Sequence, residues 1–519
     1  MAEAVQAYSI TAPGFYGLNT QDSSLDLASG FALIANNCVI DQYGRIGARK
    51  GWTKVNSAVN TDLSTNDITS IGEVVTADAT SYIIMAGNNK LFKLSGSSLV
   101  TLTYGGGGTA PTITASNWQM VSLAGALYLF QSGYDPLVFD PALSTTTFRR
   151  VSELTGYAGT VQLANTALSA YGRLWTADVS SDKLTVQWCD TKLANKWNSG
   201  TAGTLDTTTV WPKGGDVIVA LGAHNGFLFI FGKNNILVYQ GATTPSTMTL
   251  QDVITGIGCV ARDSLAYTGT DLIFLSSTGV RSALRTIQEK SMPLRDLSKN
   301  VRNDLITAIA GESLPTIKSV YNSKEAIYLL TLPVLKSVYC FDMKGTLQDG
   351  SSRVTTWDSI EPKSLLTKQD GTLYIGKGGY LATYSGYNDD TAIYRFQYFT
   401  NHTDLGTPSA TSILKKLRTV VIGGSNQYVT FKWGYDFTGN YYSQSAKIPT
   451  QSVSYYGIAE YGANATTVAY YSGGVTLQTL SVYPTGSGKV VQTGYEADIN
   501  TFPLSIQKIE IFAKEGKVY

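Results

Sequence analysis

The sequence predicts an all-β protein: a β-propeller of six to seven blades, a C-terminal β-sandwich and one short amphipathic helix. Three observations carry that prediction. Short aliphatic-aromatic runs follow a Gly- or Asn-containing turn at a recurring interval: GALYLF at 125–130, GRLW at 172–175, GFLFIF at 226–231, GTDLIFL at 269–275 and GTLYI at 371–375. SYIIM at 81–85 and AIYLL at 326–330 are two further copies. The anchors Ile83, Leu127, Leu174, Leu228, Ile273, Ile327 and Leu373 lie 44, 47, 54, 45, 54 and 46 residues apart, a period that holds several short strands per repeat. From residue 391 onward that period is lost and alternating Tyr-rich strands take over. Finally, 51 Gly and 32 Tyr supply tight turns and half-buried strand positions with one wet end.

Taken in order, residues 1 to about 35 are rich in Gly, Ser, Asn and Asp and read as an arm lying on something else. Residues 31–54 read as strand, turn, strand, which completes an N-terminal unit of 1–55. The propeller then occupies 56–390. Its clearest meanders are WQMVSL, ALYLF and PLVFD in 118–140, and DVIVAL, FLFIF and NILVY in 216–239. One segment breaks the pattern. After Pro293, Leu294, Leu297, Val301, Leu305 and Ile309 sit at helical spacing, which predicts an amphipathic helix of about four turns. The sandwich of 391–519 is carried by strands such as YRFQYF at 394–399, LRTVVI at 417–422, YVTFKW at 428–433, TTVAYY at 466–471 and IQKIEIF at 506–512. Its deletion is expected to leave a folded propeller.

Composition limits the function. With 39 Lys+Arg against 38 Asp+Glu the chain is nearly neutral, which argues against holding nucleic acid by bulk electrostatics but not against a surface that lets DNA slide past. Cys38, Cys189, Cys259 and Cys340 form no C-x-x-C pair and read as buried free thiols. The N-terminus lacks the pattern of a signal peptide, and no apolar run approaches the ~20 residues of a membrane helix. The expectation is a protein made in the cytoplasm with no stable membrane insertion. His224 and His402 each read as lying in a polar loop, without a second histidine or a carboxylate cluster. The glycines at 105–108 are followed by TAP and lack the lysine of a phosphate loop. Residues 180–188 resemble the Asp-box of sialidases only loosely, lacking its central Gly, and glycoside cleavage needs two carboxylates across one pocket. No enzymatic activity, cofactor or metal is expected.

Several stretches together resemble one family. FALIANN at 31–37 and YGRIGARKGW at 43–52 resemble the N-terminal segment of tail hub or nozzle proteins of short-tailed (podovirus-like) bacteriophages, also called tail tubular protein B-like or tail stabilisation proteins. WCDTKLANKW at 188–197, GGDVIVALG at 214–222, GCVARDS at 258–264 with LSSTGVRS at 275–282, and KKLR at 415–418 are similar to later parts of the same pattern. The resemblance covers about three quarters of the chain. It implies a virion tail subunit, a homohexamer forming a sixfold tube below the portal and adaptor rings. That tube would conduct and retain double-stranded DNA and dock tail fibres or spikes. On this reading Arg45, Arg49, Lys50, Arg295, Lys299 and Arg302 are candidate adaptor, interface or DNA-channel contacts. Lys415, Lys416 and Arg418 are candidate fibre-docking residues on the sandwich. The alternative from the residues alone is a monomeric propeller that binds glycan or protein ligands at its central mouth; the third reading is a glycoside hydrolase.

Overall fold

The computed structural model describes residues 5–113, 117–283, 296–404, 410–449 and 477–518. Six full blades form a β-propeller. The first is Ile68–Val75, Ser81–Gly87, Lys90–Ser95 and Ser98–Thr101; the second runs from Gln119–Leu123 to Thr147–Arg150, with Thr103–Tyr104 added parallel at its edge. Ala164–Ala170 to Gly203–Asp206 form the third and Ile218–His224 to Thr249–Thr255 the fourth. A shorter sheet, Ala266–Tyr267, Leu272–Ser276 and Gly279–Ser282, fills the next sector. Lys318–Asn322, Ile327–Leu332, Ser337–Thr346 and Ser352–Trp357 make the fifth blade. The sixth is Ser364–Thr367, Leu373–Gly376 and Leu381–Tyr384, completed by Trp52–Lys54 from the other end of the chain.

The recurring turn has a simple cause. Ala124 and Gly125, Tyr171 and Gly172, and Asn225 and Gly226 all have positive φ, between 49° and 82°. Two consecutive residues of that kind form the two-residue turn whose twist matches a tight hairpin, which favours Gly at the second place. Each turn leads from an inner strand to the second strand of its blade, and the second strand is covered on both faces. Ala126–Phe130 is buried at all five positions, so it reads as a continuous apolar run and not as an alternation. Neighbouring blades share one apolar layer each: Leu129 with Ile84, Leu174 with Tyr128, Trp175 with Leu228, and Leu381 with Ile83, which closes the ring.

The N-terminal segment lies on this chain. Val5–Thr11 pairs along Leu504–Val518, while Cys38–Ile40 and Ile46–Ala48 extend that sheet. Gly17–Leu18 and Phe31–Asn36 bridge the fifth blade to Tyr394–Thr400, making one eleven-stranded sheet that continues through Val490–Ile499 and Tyr428–Tyr435. The sandwich is therefore built from both ends of the sequence, and a boundary at 55/56 cuts through the sixth blade. Between its two sheets Tyr398, Phe431 and Tyr495 pack with Leu417, Ile509 and Ile511. TTVAYY at 466–471 lies outside the described residues.

The helix is shorter than its periodicity predicts. Helix α1 spans Arg302–Ala310, entered through a 3-10 turn at Lys299–Val301. Leu297, Val301 and Leu305 are buried as expected. Residues 296–298 instead run beside Gly279–Ser282, with Leu297 N–H donating to Val280 O at 3.0 Å and Val280 N–H to Ser298 Oγ at 3.0 Å. Asp296 accepts from the Ser298 hydroxyl at 3.0 Å, a local bond of the kind that competes with helix formation.

Candidate functional site

The inner strands surround a cavity of about 570 Å³ on the propeller axis. A charged cluster sits against it. Arg262 and Asp263 belong to the 3-10 turn Arg262–Ser264 that opens the short sheet. Arg262 holds Asp263 through both oxygens, at 2.7 and 2.8 Å, and also donates to Asn165 O at 2.7 Å and Asn117 O at 3.2 Å. Lys318, the first residue of the fifth blade, donates to Asp263 Oδ2 at 2.5 Å and to Asn117 Oδ1. Asn117 precedes the second blade and Asn165 lies in the third, so these bonds cross the ring.

The electrostatics follow from burial. Desolvation alone would raise the Asp263 carboxyl, but Arg262 and Lys318 overcome it and hold it far below the usual carboxylate range. Desolvation pulls the Lys318 ammonium below its ordinary value, and Arg262 adds to that, while Asp263 opposes it. At the end of the fourth inner strand, His224 is 8% exposed and its Nδ1 makes no hydrogen bond among the described residues. Its ring centroid is 5.8 Å from that of Tyr267. His224 thus ends a strand instead of standing in a polar loop. The signal was present: it directly precedes the Asn225–Gly226 turn. His402 packs against Phe437 at 4.2 Å between centroids.

A second site is the joint between propeller and sandwich, and it holds one predicted basic residue. The Arg49 side chain is 0% exposed. Its guanidinium donates to both Asp389 oxygens at 2.8 and 2.7 Å, to Asn37 Oδ1 at 2.9 Å, to Lys50 O at 2.8 Å and to Ser359 Oγ at 2.9 Å, and lies 4.0 Å from the centre of the Tyr394 ring. Arg49 is therefore not a surface contact: its donors are used inside the chain, because one buried carboxylate needs them. Asn36 and Asn37 extend the joint by donating to Asp358 at 2.6 Å each.

The other predicted residues do not come together as one patch. Arg45 pairs with Asp41 at 2.7 Å, Lys50 with Glu325 at 2.5 Å, and Lys299 with Asp349 at 2.7 Å. Arg302 is committed to the buried Asp296 at 2.6 Å. Arg295 lies outside the described residues. On the strand Ala410–Gly423, Lys415 is exposed, Lys416 is half-buried near the Tyr483 ring, and Arg418 pairs with Glu510. Among the described residues no cluster of His, Cys, Asp and Glu is arranged to hold a metal ion, and no helix is long and apolar enough to cross a membrane.

No protein-family model and no curated protein matches the chain. Solved structures with some similarity to the chain include PorZ, an essential bacterial surface component of the type-IX secretion system of Porphyromonas gingivalis, at 12% identity and a TM-score of 0.36 over 76% of this chain and 46% of that one. The extracellular domain of BT4673 from B. thetaiotaomicron is 11% identical, with a TM-score of 0.41 over 80% of this chain and 58% of that one. The WD40 β-propeller domain of Doa1 is 11% identical, with a TM-score of 0.37 over 64% of this chain and 96% of that one. This chain thus spans about half the length of the first two.

Proposed function

We propose that this protein is a structural subunit of a short-tailed phage nozzle, acting by shape and interfaces and without catalysis. The observation that carries the reading is the joint. The two N-terminal stretches that resemble nozzle proteins, 31–37 and 43–52, are the ones that interlock propeller and sandwich through Asn36, Asn37 and Arg49. A rigid wedge of this kind suits heterologous ring closure, in which six copies leave no free end. On this reading the DNA conduit runs between subunits and not through each propeller, whose axis the Arg262 bonds cross. A near-neutral chain suits that lumen, since every strong phosphate clamp would slow transit. Lys415 and Lys416 remain on the sandwich surface for a fibre or spike, and the adaptor ring is the expected neighbour at the other end. Cryo-EM class averages of the protein alone and mixed with neighbouring tail proteins test this. Sixfold rings with a DNA-wide bore support it; monomers in both samples overturn it.

The axial cavity favours a second reading, a ligand-binding propeller. Its size falls within the range of small-molecule sites, and a glycan array on the purified chain tests it.

A further inference from the structure

The axial cavity has a charge and donor pattern that ring assembly does not use. Of the described residues lining it, the formally charged ones are Arg262, Lys318 and Asp263, so it carries one net positive charge. Both cations are more than nine-tenths buried, and a buried charge without a counter-ion is costly. Arg262 spends its fork on Asp263, Asn165 and Asn117. Lys318 gives Asp263 and Asn117 one N–H each, which leaves its third. Gln119 accepts from Ala167 N–H through Oε1 at 2.6 Å and retains its amide N–H groups. Tyr171 and Tyr267 also line the cavity, their hydroxyls committed to Phe227 O and Gly269 O.

The complement of this pattern is a ligand with a single negative charge and hydroxyls. We propose that the axial cavity binds a hexuronic acid unit, with the carboxylate on Lys318, a hydroxyl on Gln119 and the sugar ring beside the tyrosines. The inference rests on the ligand-binding reading above and gives it a chemical class. A phosphate ester, at about −1.5 to −2, overmatches the single charge, and the arginine fork that would grip any phosphate in two places is occupied.

Titration calorimetry of the full chain with glucuronate, its methyl ester, glucose and inorganic phosphate tests the proposal. The ester removes the charge without altering the protein, so the test does not depend on a folded Lys318 variant. Glucuronate is expected to bind roughly tenfold to a hundredfold more tightly than the ester or glucose, the value of a hydrogen bond to a charged group. Lys318→Met should abolish that preference and Gln119→Leu should weaken binding severalfold. Equal binding of glucose and glucuronate overturns the charge argument while leaving a ligand site in place. Binding of phosphate alone also overturns the proposal, and binding of none of the four removes the ligand-binding reading with it.

Discussion

Replacing Arg49 with methionine keeps an unbranched apolar stem in place and removes the guanidinium from the joint. The change deletes two charge-assisted bonds to Asp389 and single bonds to Asn37, Lys50 O and Ser359. Asp389 is left 7% exposed, with the Ser359 hydroxyl at 3.0 Å as its remaining neutral donor. Breaking one side of a buried ion pair costs about 3–5 kcal/mol, because the surviving charge stays desolvated. The loss should appear as a lower urea midpoint, followed by tryptophan fluorescence. The double variant Arg49→Met with Asp389→Leu has no orphaned charge, so it should recover about 1–3 kcal/mol relative to the sum of the single losses. A single-variant loss below about 1 kcal/mol, or strict additivity in the cycle, would refute the claim that this pair locks propeller to sandwich.

The remaining expectations concern the same architecture. A chain lacking residues 391–519 should fail to give a soluble, cooperatively unfolding propeller, because Val5–Thr11 and Phe31–Asn36 lose their partners; a sharp melt from that truncation would show that the blades stand alone. Gly51→Ala should destabilise strongly, since a Cβ there would meet Asn388 O at 1.8 Å where the closing strand begins; an unchanged melting temperature contradicts this. Glu510 is held down to about 2, first by the Arg418 hydrogen bond and then by Lys508. A depressed carboxylate contributes stability that is present above the unfolded value near ~4.3 and lost as pH falls toward 2. Glu510→Gln should therefore flatten the acid limb of the stability profile between those values, as acid titration by circular dichroism would read. All four cysteines are buried, and burial pushes Cys189 and Cys259 up to about 11. A thiol reagent at pH 8 should find none of them in the native protein and all four in denaturant.

Much of the ring was legible because its signals are local. A turn residue followed by an apolar run marks each second strand, and the positive-φ pair explains why Gly recurs there. What stayed hidden was long-range. FALIAN reads as a strand, but nothing within it says that it joins Tyr394–Thr400 to the fifth blade. Arg49 read as a surface cation because arginine is seldom fully buried, and the carboxylate that buries it is 340 residues away in sequence. The axial cluster was hidden for the same reason: Lys318 and Asn117 touch across a separation of 201 residues. The predicted helix was overlong because apolar spacing cannot register that Asp296 and Ser298 bond to each other.

The strand exchange between the chain's two ends also sets a timetable. Trp52–Lys54 leaves the ribosome before its partner Leu381–Tyr384, which follows more than 300 residues later. Val5–Thr11 waits for Lys508–Lys514, roughly 500 residues on, which at ~5–20 residues per second is on the order of a minute. Until then the blades between can collapse in sequence, but the ring stays unlatched. Its final contacts are among the most non-local in the molecule, which makes closure the slow event. Closure of the ring therefore waits on residues 508–514, however early the blades between form.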